Sequence, residues 1–183
     1  DAETKIERQA QVLKLLTLLK QVCNHPSAYD KTAFADTKRS GKTTALVALL
    51  KDILSSGEKV IIFSQYVGTL ELLYYIIENE LGVSPLMLHG KMPVVKRKEA
   101  VELFQNDSAF RIFLISLKAG GTGLNLTAAS RVIHFDLWYN PAVEDQATDR
   151  VFRIGQKKNV FIHRFICAGT FEEKIDAMIQ KKR

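Results

Sequence analysis

Short apolar segments alternate with amphipathic helical segments along most of the chain, and this alternation restricts the fold more than any other feature. The apolar segments are predicted strands at residues 59–63, 86–88, 111–115, 131–135 and 160–166. The segments around them are predicted helices at residues 42–56, 67–80, 93–105, 143–152 and 171–181. Such alternation is typical of a mainly parallel sheet covered by helices on both faces. The predicted fold class is therefore a three-layer α/β/α domain.

The loops after the predicted strands are the expected location of a ligand. In a parallel sheet with right-handed crossovers these loops meet at one edge, where ligands of open α/β sheets bind. The loops to consider follow Phe63, Leu88, Ile115 and Phe135.

The beginning of the chain has a different pattern. Apolar residues at helical spacing predict a helix over 5–22, and the polar residues after it predict a connecting loop over 27–41. We therefore expect an N-terminal helix and linker at 1–41, followed by one α/β lobe at 42–183.

Composition and charge are those of one globular domain with an affinity for polyanions. The chain has 183 residues, of which 46% are hydrophobic and 25% charged. Its net charge of +6 favours encounters with nucleic acid without identifying one. Neither a leader sequence nor an apolar run of bilayer-spanning length is recognisable in the sequence.

The two cysteines, Cys23 and Cys167, are far apart in the sequence and lie in no paired-cysteine motif. We predict two reduced, buried thiols of an intracellular protein rather than a disulfide. Cys23 and His25 have the spacing of a ligand pair, but no second pair follows nearby, so no metal site is predicted.

Gly41-Lys42-Thr43 resembles the end of a phosphate-binding P-loop. The full motif requires a glycine at the position of Asp36, and it requires a preceding strand that this segment lacks. We predict instead the beginning of a helix, capped by Ser40 or Gly41. The chain is therefore not expected to hydrolyse ATP alone.

The segment QATDRVFRIGQ, residues 146–156, is the strongest candidate for chemistry. Arg150 and Arg153 are three residues apart on a predicted helix, so both are expected on one face. Paired guanidinium groups repel each other unless an anion lies between them, and they suit the charge of a transferring phosphoryl group. The alternative is a solvated basic helix face that pairs with neighbouring acids.

Two other segments follow predicted strands. LISLKAGGTGLNLTAAS, residues 114–130, brings three glycines together with Ser116 and Lys118, which suits a close approach to phosphate or simply a tight turn. FDLWYNPAVEDQ, residues 135–146, brings aromatic side chains that either cap the core or contact a partner.

Together and in this order, the segments resemble the C-terminal lobe of Swi/Snf ATPases, which are superfamily-two helicases. VIIFSQY, MLHGKM and LKAGGTGLNLTAAS resemble successive motifs of that lobe, and DLWYNPAVEDQATDRVFRIGQ resembles its Trp-Asn-Pro block and motif VI. LLTLLKQVCNHPSAY resembles the segment before the lobe, and GTFEEKIDAMIQKK its closing helix. The chain departs from the family pattern at Leu137, Tyr139 and Phe152, where proline, tryptophan and histidine are common.

The resemblance implies a RecA-like lobe without a P-loop of its own, in a DNA translocase of the chromatin-remodelling type. ATP and Mg²⁺ would be bound mainly by an N-terminal RecA-like lobe, with Arg150 and Arg153 reaching the γ-phosphate as catalytic residues. The implied nucleotide-binding residues are Gln146, Asp149, Gly121 and Gly123. The implied contacts to double-stranded DNA are Gln65, His89, Ser116, Lys118 and Asn125.

Two other functions remain open. The first is a lobe of another superfamily-two protein, an RNA helicase or a restriction translocase, although the ending RIGQ argues against an RNA helicase. The second is an interaction module that shares the RecA-like fold without catalysis, against which the paired arginines argue.

Overall fold

A parallel sheet of five strands forms the centre of the computed structural model, whose described residues are 2–30, 35–119 and 124–181. The strands are β1 (Val60–Ser64), β2 (Leu86–Leu88), β3 (Ile112–Ser116), β4 (Arg131–His134) and β5 (Phe161–Arg164). Their order in the sheet is β2-β3-β1-β4-β5, and every neighbouring pair is parallel. The predicted fold class is confirmed.

Seven α-helices surround this sheet in the described part of the chain. They are α1 (Ala2–Asn24), α2 (Pro26–Tyr29), α3 (Gly41–Ser55), α4 (Val67–Leu81), α5 (Val94–Asn106), α6 (Pro141–Thr148) and α7 (Phe171–Gln180). A 3₁₀ turn, Thr37–Arg39, precedes α3. The segment predicted as a loop at 27–41 therefore contains α2 and this turn, whose capping bonds are local and leave little apolar pattern.

Two hydrophobic clusters lie on opposite faces of the sheet. All five residues of β1 and of β3 are buried, as expected for strands covered on both sides. Phe63 and Phe113 belong to one cluster, together with Phe104 of α5. Leu50 of α3 and Leu73 of α4 belong to the other cluster. This arrangement is the three-layer architecture that the alternation of strands and helices predicts.

The P-loop-like segment begins α3, as predicted. The Ser40 hydroxyl caps the helix by accepting a hydrogen bond from the Thr43 N–H at 3.4 Å, which decides between the two predicted caps. The Lys42 ammonium lies 2.8 Å from the Glu172 carboxylate, and the two side chains are 3% and 0% exposed. Lys42 is therefore used inside the fold and is not presented to a nucleotide.

Helix α1 has an exposed and a packed part. Ile6, Val12 and Leu15 are each at least half exposed, whereas Lys20 and Asn24 near its end are buried. The end of α1 thus packs on the α/β lobe, and the boundary at residue 41 stays a prediction. Among the described helices, none combines the length and the apolar character that a bilayer crossing needs.

Candidate functional site

The loops after β1, β2 and β3 lie at the same edge of the sheet. Ser64 at the end of β1 is paired with Ser116 at the end of β3, and Leu88 at the end of β2 is paired with Ile115. Strand β4 runs parallel on the other side of β1. Residues that directly follow these strands are neighbours, and we call this location the strand-end edge.

A buried carboxylate, that of Asp136, organises the middle of the strand-end edge. Asp136 is fully buried and accepts hydrogen bonds from the Ser64 hydroxyl, from the Gln65 N–H at 3.0 Å and from the Asn24 side-chain amide at 3.1 Å. These donors replace the water that an ionised carboxylate loses on burial. No sequence pattern pointed to Asp136, because its partners on α1 and β1 are distant in the sequence.

Two lysines complete a buried polar network with this carboxylate. Lys20 donates to the Leu137 carbonyl, and its ammonium lies 4.5 Å from the centre of the Tyr139 ring. Burial lowers the pKa of Lys20, and the negative charge of Asp136 opposes that shift. The network consists of Lys20, Asn24, Lys42, Asp136 and Glu172, and it holds the end of α1 against the loop after β4.

The candidate DNA contacts differ in accessibility. Lys118, just after β3, and Asn125 are exposed. His89, just after β2, is half buried, and its Nδ1 has no hydrogen-bond partner among the described residues. Arg97 donates to the carbonyl oxygens of Gly90 and Met92 at 2.6 and 2.8 Å, so it holds the turn beside His89. Lys118 and Asn125 thus present their polar atoms at the surface, whereas the Nδ1 of His89 is buried.

The other two candidates are used within the lobe. The Gln65 amide donates to the Leu137 carbonyl at 2.6 Å. Ser116 is 3% exposed, and its hydroxyl accepts from the Ala119 N–H at 3.3 Å. Ser116 closes the turn after β3 and offers almost no surface to DNA, and its contact with DNA stays a prediction. The predicted nucleotide-binding residues Gly121 and Gly123 lie outside the described residues, as does Gly120.

The predicted helix at 143–152 is wrong in its second half. Helix α6 ends at Thr148, so Gln146 lies on it, whereas Arg150 and Arg153 follow it in a series of turns. A tertiary contact holds the turns that follow the helix, because the Arg150 carbonyl accepts from the Leu126 N–H at 3.2 Å. Arg150 and Arg153 therefore do not project from one helix face.

The two arginines have different environments. Arg153 is exposed, whereas Arg150 is 4% exposed. The Nε and Nη1 atoms of Arg150 are buried and have no hydrogen-bond partner among the described residues. Burial lowers the pKa of the Arg150 guanidinium, and the charge of Arg153 lowers it further. The two positive charges are thus close enough to interact although they share no helix.

Gln156 clamps the turns that carry these arginines. Its side-chain amide donates to the Ala129 carbonyl at 2.9 Å and to the Val151 carbonyl at 3.2 Å, and its oxygen accepts from the Lys158 N–H at 2.9 Å. Gly155 has a φ of 105°, which a residue with a side chain rarely adopts. The Gly-Gln pair of the RIGQ ending thus fixes the path of the chain after Arg153, a role that sequence reasoning did not assign.

The remaining predicted residues lie on α6 or at its end. Gln146 is exposed, and Asp149 is the exposed C-terminal cap of the helix. Their role in orienting the arginines stays a prediction.

Glu144 on the same helix is a buried residue that sequence reasoning did not select. It is 1% exposed, and its carboxylate accepts hydrogen bonds from the Trp138 N–H at 3.0 Å and from the Arg164 guanidinium at 3.1 Å. Glu144 therefore links α6 to the Trp-Asn-Pro block and to β5.

Comparison with known proteins gives this arrangement a family. Residues 41–155 match the model of the helicase conserved C-terminal domain. The putative ATP-dependent helicase/translocase YwqA of Bacillus subtilis is 43% identical over 182 residues, which are 98% of this chain and 20% of YwqA. The chain thus spans a fifth of the length of this relative.

Two solved structures from Sulfolobus solfataricus are similar over 97% of this chain. The SWI2/SNF2 ATPase core in complex with dsDNA has a TM-score of 0.85 and 40% identity, with 37% of that chain covered. The SWI2/SNF2 ATPase C-terminal domain has a TM-score of 0.82 and 37% identity, with 72% covered. The chain belongs to the helicase conserved C-terminal domain family and, within it, to the C-terminal lobes of the SWI2/SNF2 ATPases.

Proposed function

We propose that this lobe is the second motor lobe of an ATP-dependent translocase on double-stranded DNA, to which it supplies arginines and contacts to the DNA backbone. The observation that carries the proposal is the Arg150 guanidinium, which is buried beside the charge of Arg153 and has two nitrogens without a described partner. An unpaired buried cation destabilises a fold, so its presence is best explained by an anion that binds there.

The residues present fit the phosphate end of ATP but not a complete ATP site. Arg153 is exposed and can meet an anion held by another domain, whereas Arg150 can do so only at the small part of its surface that is open. Lys42, the P-loop-like lysine, is already paired with Glu172. We therefore assign most of the binding of ATP and Mg²⁺ to an N-terminal RecA-like lobe of the same polypeptide.

The contribution of this chain is electrostatic and positional. ATP supplies the phosphoryl group whose transfer to water releases energy. The guanidinium of Arg153, assisted by the nearby charge of Arg150, stabilises the negative charge that develops during this transfer. Gln156 keeps the turns that carry both arginines in one conformation, so less reorganisation is needed when the lobes close.

The contacts to DNA would come from the strand-end edge. Lys118 and Asn125 are exposed, and His89 is half buried just after β2. A related structure of 0.85 TM-score is of a SWI2/SNF2 ATPase core with dsDNA. Lysine and amide groups bind phosphates without reading base sequence, which suits a protein that moves along any duplex.

The choice of nucleic acid is tested on the longer protein that carries this lobe. We expect duplex DNA to stimulate ATP hydrolysis more than single-stranded DNA or RNA of the same length and sequence. The measurement is the steady-state rate of phosphate release at saturating nucleic acid. Strongest stimulation by RNA would favour the RNA helicase alternative, and the absence of any nucleic-acid-stimulated hydrolysis would favour the interaction module.

Binding by the isolated chain gives a second prediction. We expect weak duplex binding that falls steeply with salt, because phosphate contacts release counterions. Lys118→Ala should reduce the slope of log K against log salt by about one. Fluorescence anisotropy at several salt concentrations measures this slope. The control is Lys51→Ala, which removes the same charge at an exposed position on α3 and should leave the slope unchanged. Equal slopes for the two variants would mean that Lys118 does not contact DNA.

A further inference from the structure

Two thiols from opposite ends of the chain lie side by side. Cys23 belongs to the last turn of α1, and Cys167 follows β5. Their sulfur atoms and a carboxylate oxygen of Glu172 all lie within 4.8 Å of one another. The Cys167 thiol donates to the Cys23 carbonyl at 3.2 Å. Both cysteines are free thiols, and both side chains are half buried and therefore partly accessible, whereas the prediction was two buried thiols.

We propose that Cys23 and Cys167 are a redox-sensitive pair, which a small-molecule disulfide oxidises to an internal disulfide that ties the end of α1 to the connection between β5 and α7. The sulfur atoms lie within 4.8 Å of each other, and the proposed bond requires rotation about the Cα–Cβ bonds, for which cysteine side chains have three staggered positions.

The surroundings favour a disulfide over a metal ion. Both oxygens of Glu172 are in use, because one pairs with Lys42 at 2.8 Å and the other accepts from the Cys167 N–H at 2.8 Å. A structural zinc site needs four ligands, and its ligands must be free to bind. Two sulfur atoms and an engaged carboxylate do not supply such a set of ligands.

The chemistry balances with one equivalent of a small disulfide such as oxidised glutathione. One protein thiolate attacks a glutathione sulfur, which breaks the glutathione disulfide and releases one glutathione thiolate. The second protein thiolate then attacks the protein sulfur of the mixed disulfide and releases the other glutathione. The two protein thiols are oxidised, the small disulfide is reduced, and the two protons lost by the protein end on the two glutathione thiols.

The electrostatic surroundings set the pH dependence of this reaction. Burial raises the pKa of Cys167 to about 11, and burial likewise raises the pKa of Cys23. The charged groups that face the pair are Lys42 on α3, which favours thiolate, and Glu172 on α7, which opposes it. Thiolate is the reactive form, so the oxidation rate should rise about tenfold per pH unit below the pKa of the attacking thiol.

The bond would secure a contact that the buried polar network already makes. Helix α1 carries Lys20 and Asn24, which bond to Leu137 and Asp136 at the strand-end edge. Because the two cysteines are 144 positions apart, a bond between them restricts the unfolded chain strongly. Oxidation should therefore raise the midpoint of thermal unfolding by roughly 5–15 °C, and a reductant should reverse the shift.

The test uses the 183-residue chain, oxidised glutathione at pH 8.5, alkylation of remaining thiols and intact-mass measurement. We expect a species lighter by two hydrogen atoms that takes up no alkylating agent, together with a cross-linked peptide pair containing Cys23 and Cys167. Cys23→Ser and Cys167→Ser should each accumulate a glutathione adduct instead, and neither should show the thermal shift.

Three results would overturn the proposal. The first is accumulation of glutathione on the wild-type cysteines without an internal bond. The second is an oxidised chain with the unfolding midpoint of the reduced chain. The third is retention of one equivalent of Zn²⁺ by the reduced chain and its loss in both serine variants, which would assign the cluster to a metal. None of these measurements depends on ATP or DNA, so they are independent of the proposed function.

Discussion

Arg153→Ala in the longer protein should lower the rate of duplex-stimulated ATP hydrolysis by about a hundredfold or more. The exposed guanidinium of Arg153 is close enough to that of Arg150 to lower its pKa, and we expect its removal to take away positive charge where negative charge develops during phosphoryl transfer. ATP binding should change little, because we assign most of it to the other lobe. Initial rates across ATP concentrations separate kcat from KM, and the expected loss is in kcat.

Arg150 offers a companion variant that distinguishes a catalytic from a structural role. Arg150→Met replaces a buried, partly unpartnered guanidinium by an apolar chain of similar length. If the charge serves function, this variant should be more stable to urea by about 0.5–2 kcal/mol and yet hydrolyse ATP far more slowly.

Controls and contrary outcomes follow from the same positions. Lys174→Ala removes an exposed charge on α7 and should leave hydrolysis unchanged. Normal turnover in Arg153→Ala would mean that this lobe takes no part in hydrolysis. That result would favour the alternative of an interaction module. A large loss of stability in Arg150→Met would show that the guanidinium belongs to the structural core.

Lys42→Ala should destabilise the chain by about 3–5 kcal/mol, the largest effect on stability that we expect from one substitution. The Lys42 ammonium donates to Glu172 at 2.8 Å, to the Phe135 carbonyl at 3.0 Å and to Asn24 at 3.3 Å, and the ion pair is almost completely buried. Without Lys42, the carboxylate of Glu172 remains inside without its counter-ion. Urea unfolding followed by circular dichroism measures the change.

A matched pair and a rescue variant make this prediction specific. Lys96→Ala breaks an ion pair with Glu99 in which the side chains are 64% and 53% exposed, and it should leave the urea midpoint almost unchanged, because water screens exposed charges. Adding Glu172→Gln to Lys42→Ala should recover part of the loss, because it removes the uncompensated charge. A cost for Lys42→Ala no larger than that of Lys96→Ala would mean that water reaches Glu172.

The elements of the sheet were predictable because their causes are local. Each strand contains a short run of consecutive apolar residues, so its position follows from neighbouring residues. The beginning of α3 was predictable for the same reason, since the Ser40 cap acts over three residues. The end of α6 was not, because the turns that follow it are held by bonds to distant residues, such as the one from the Leu126 N–H to the Arg150 carbonyl.

The candidate site shows the same division. Arg150 and Arg153 were identified from their spacing and from a family motif, and the structure keeps their charges close enough to interact. Their difference in burial could not be inferred from spacing. Asp136, Glu144 and Gln156 were missed, because each acts through partners from other parts of the chain.

The sequence by itself determined the fold class, the order of the elements and the family, since these depend on local periodicity and on motifs of contiguous residues. Only the tertiary structure decided which charges are buried, where α6 ends and that Cys23 meets Cys167. The physical reason is that burial and long-range pairing depend on segments brought together from distant positions, and a hydrogen bond or ion pair between them leaves no periodic trace in the chain.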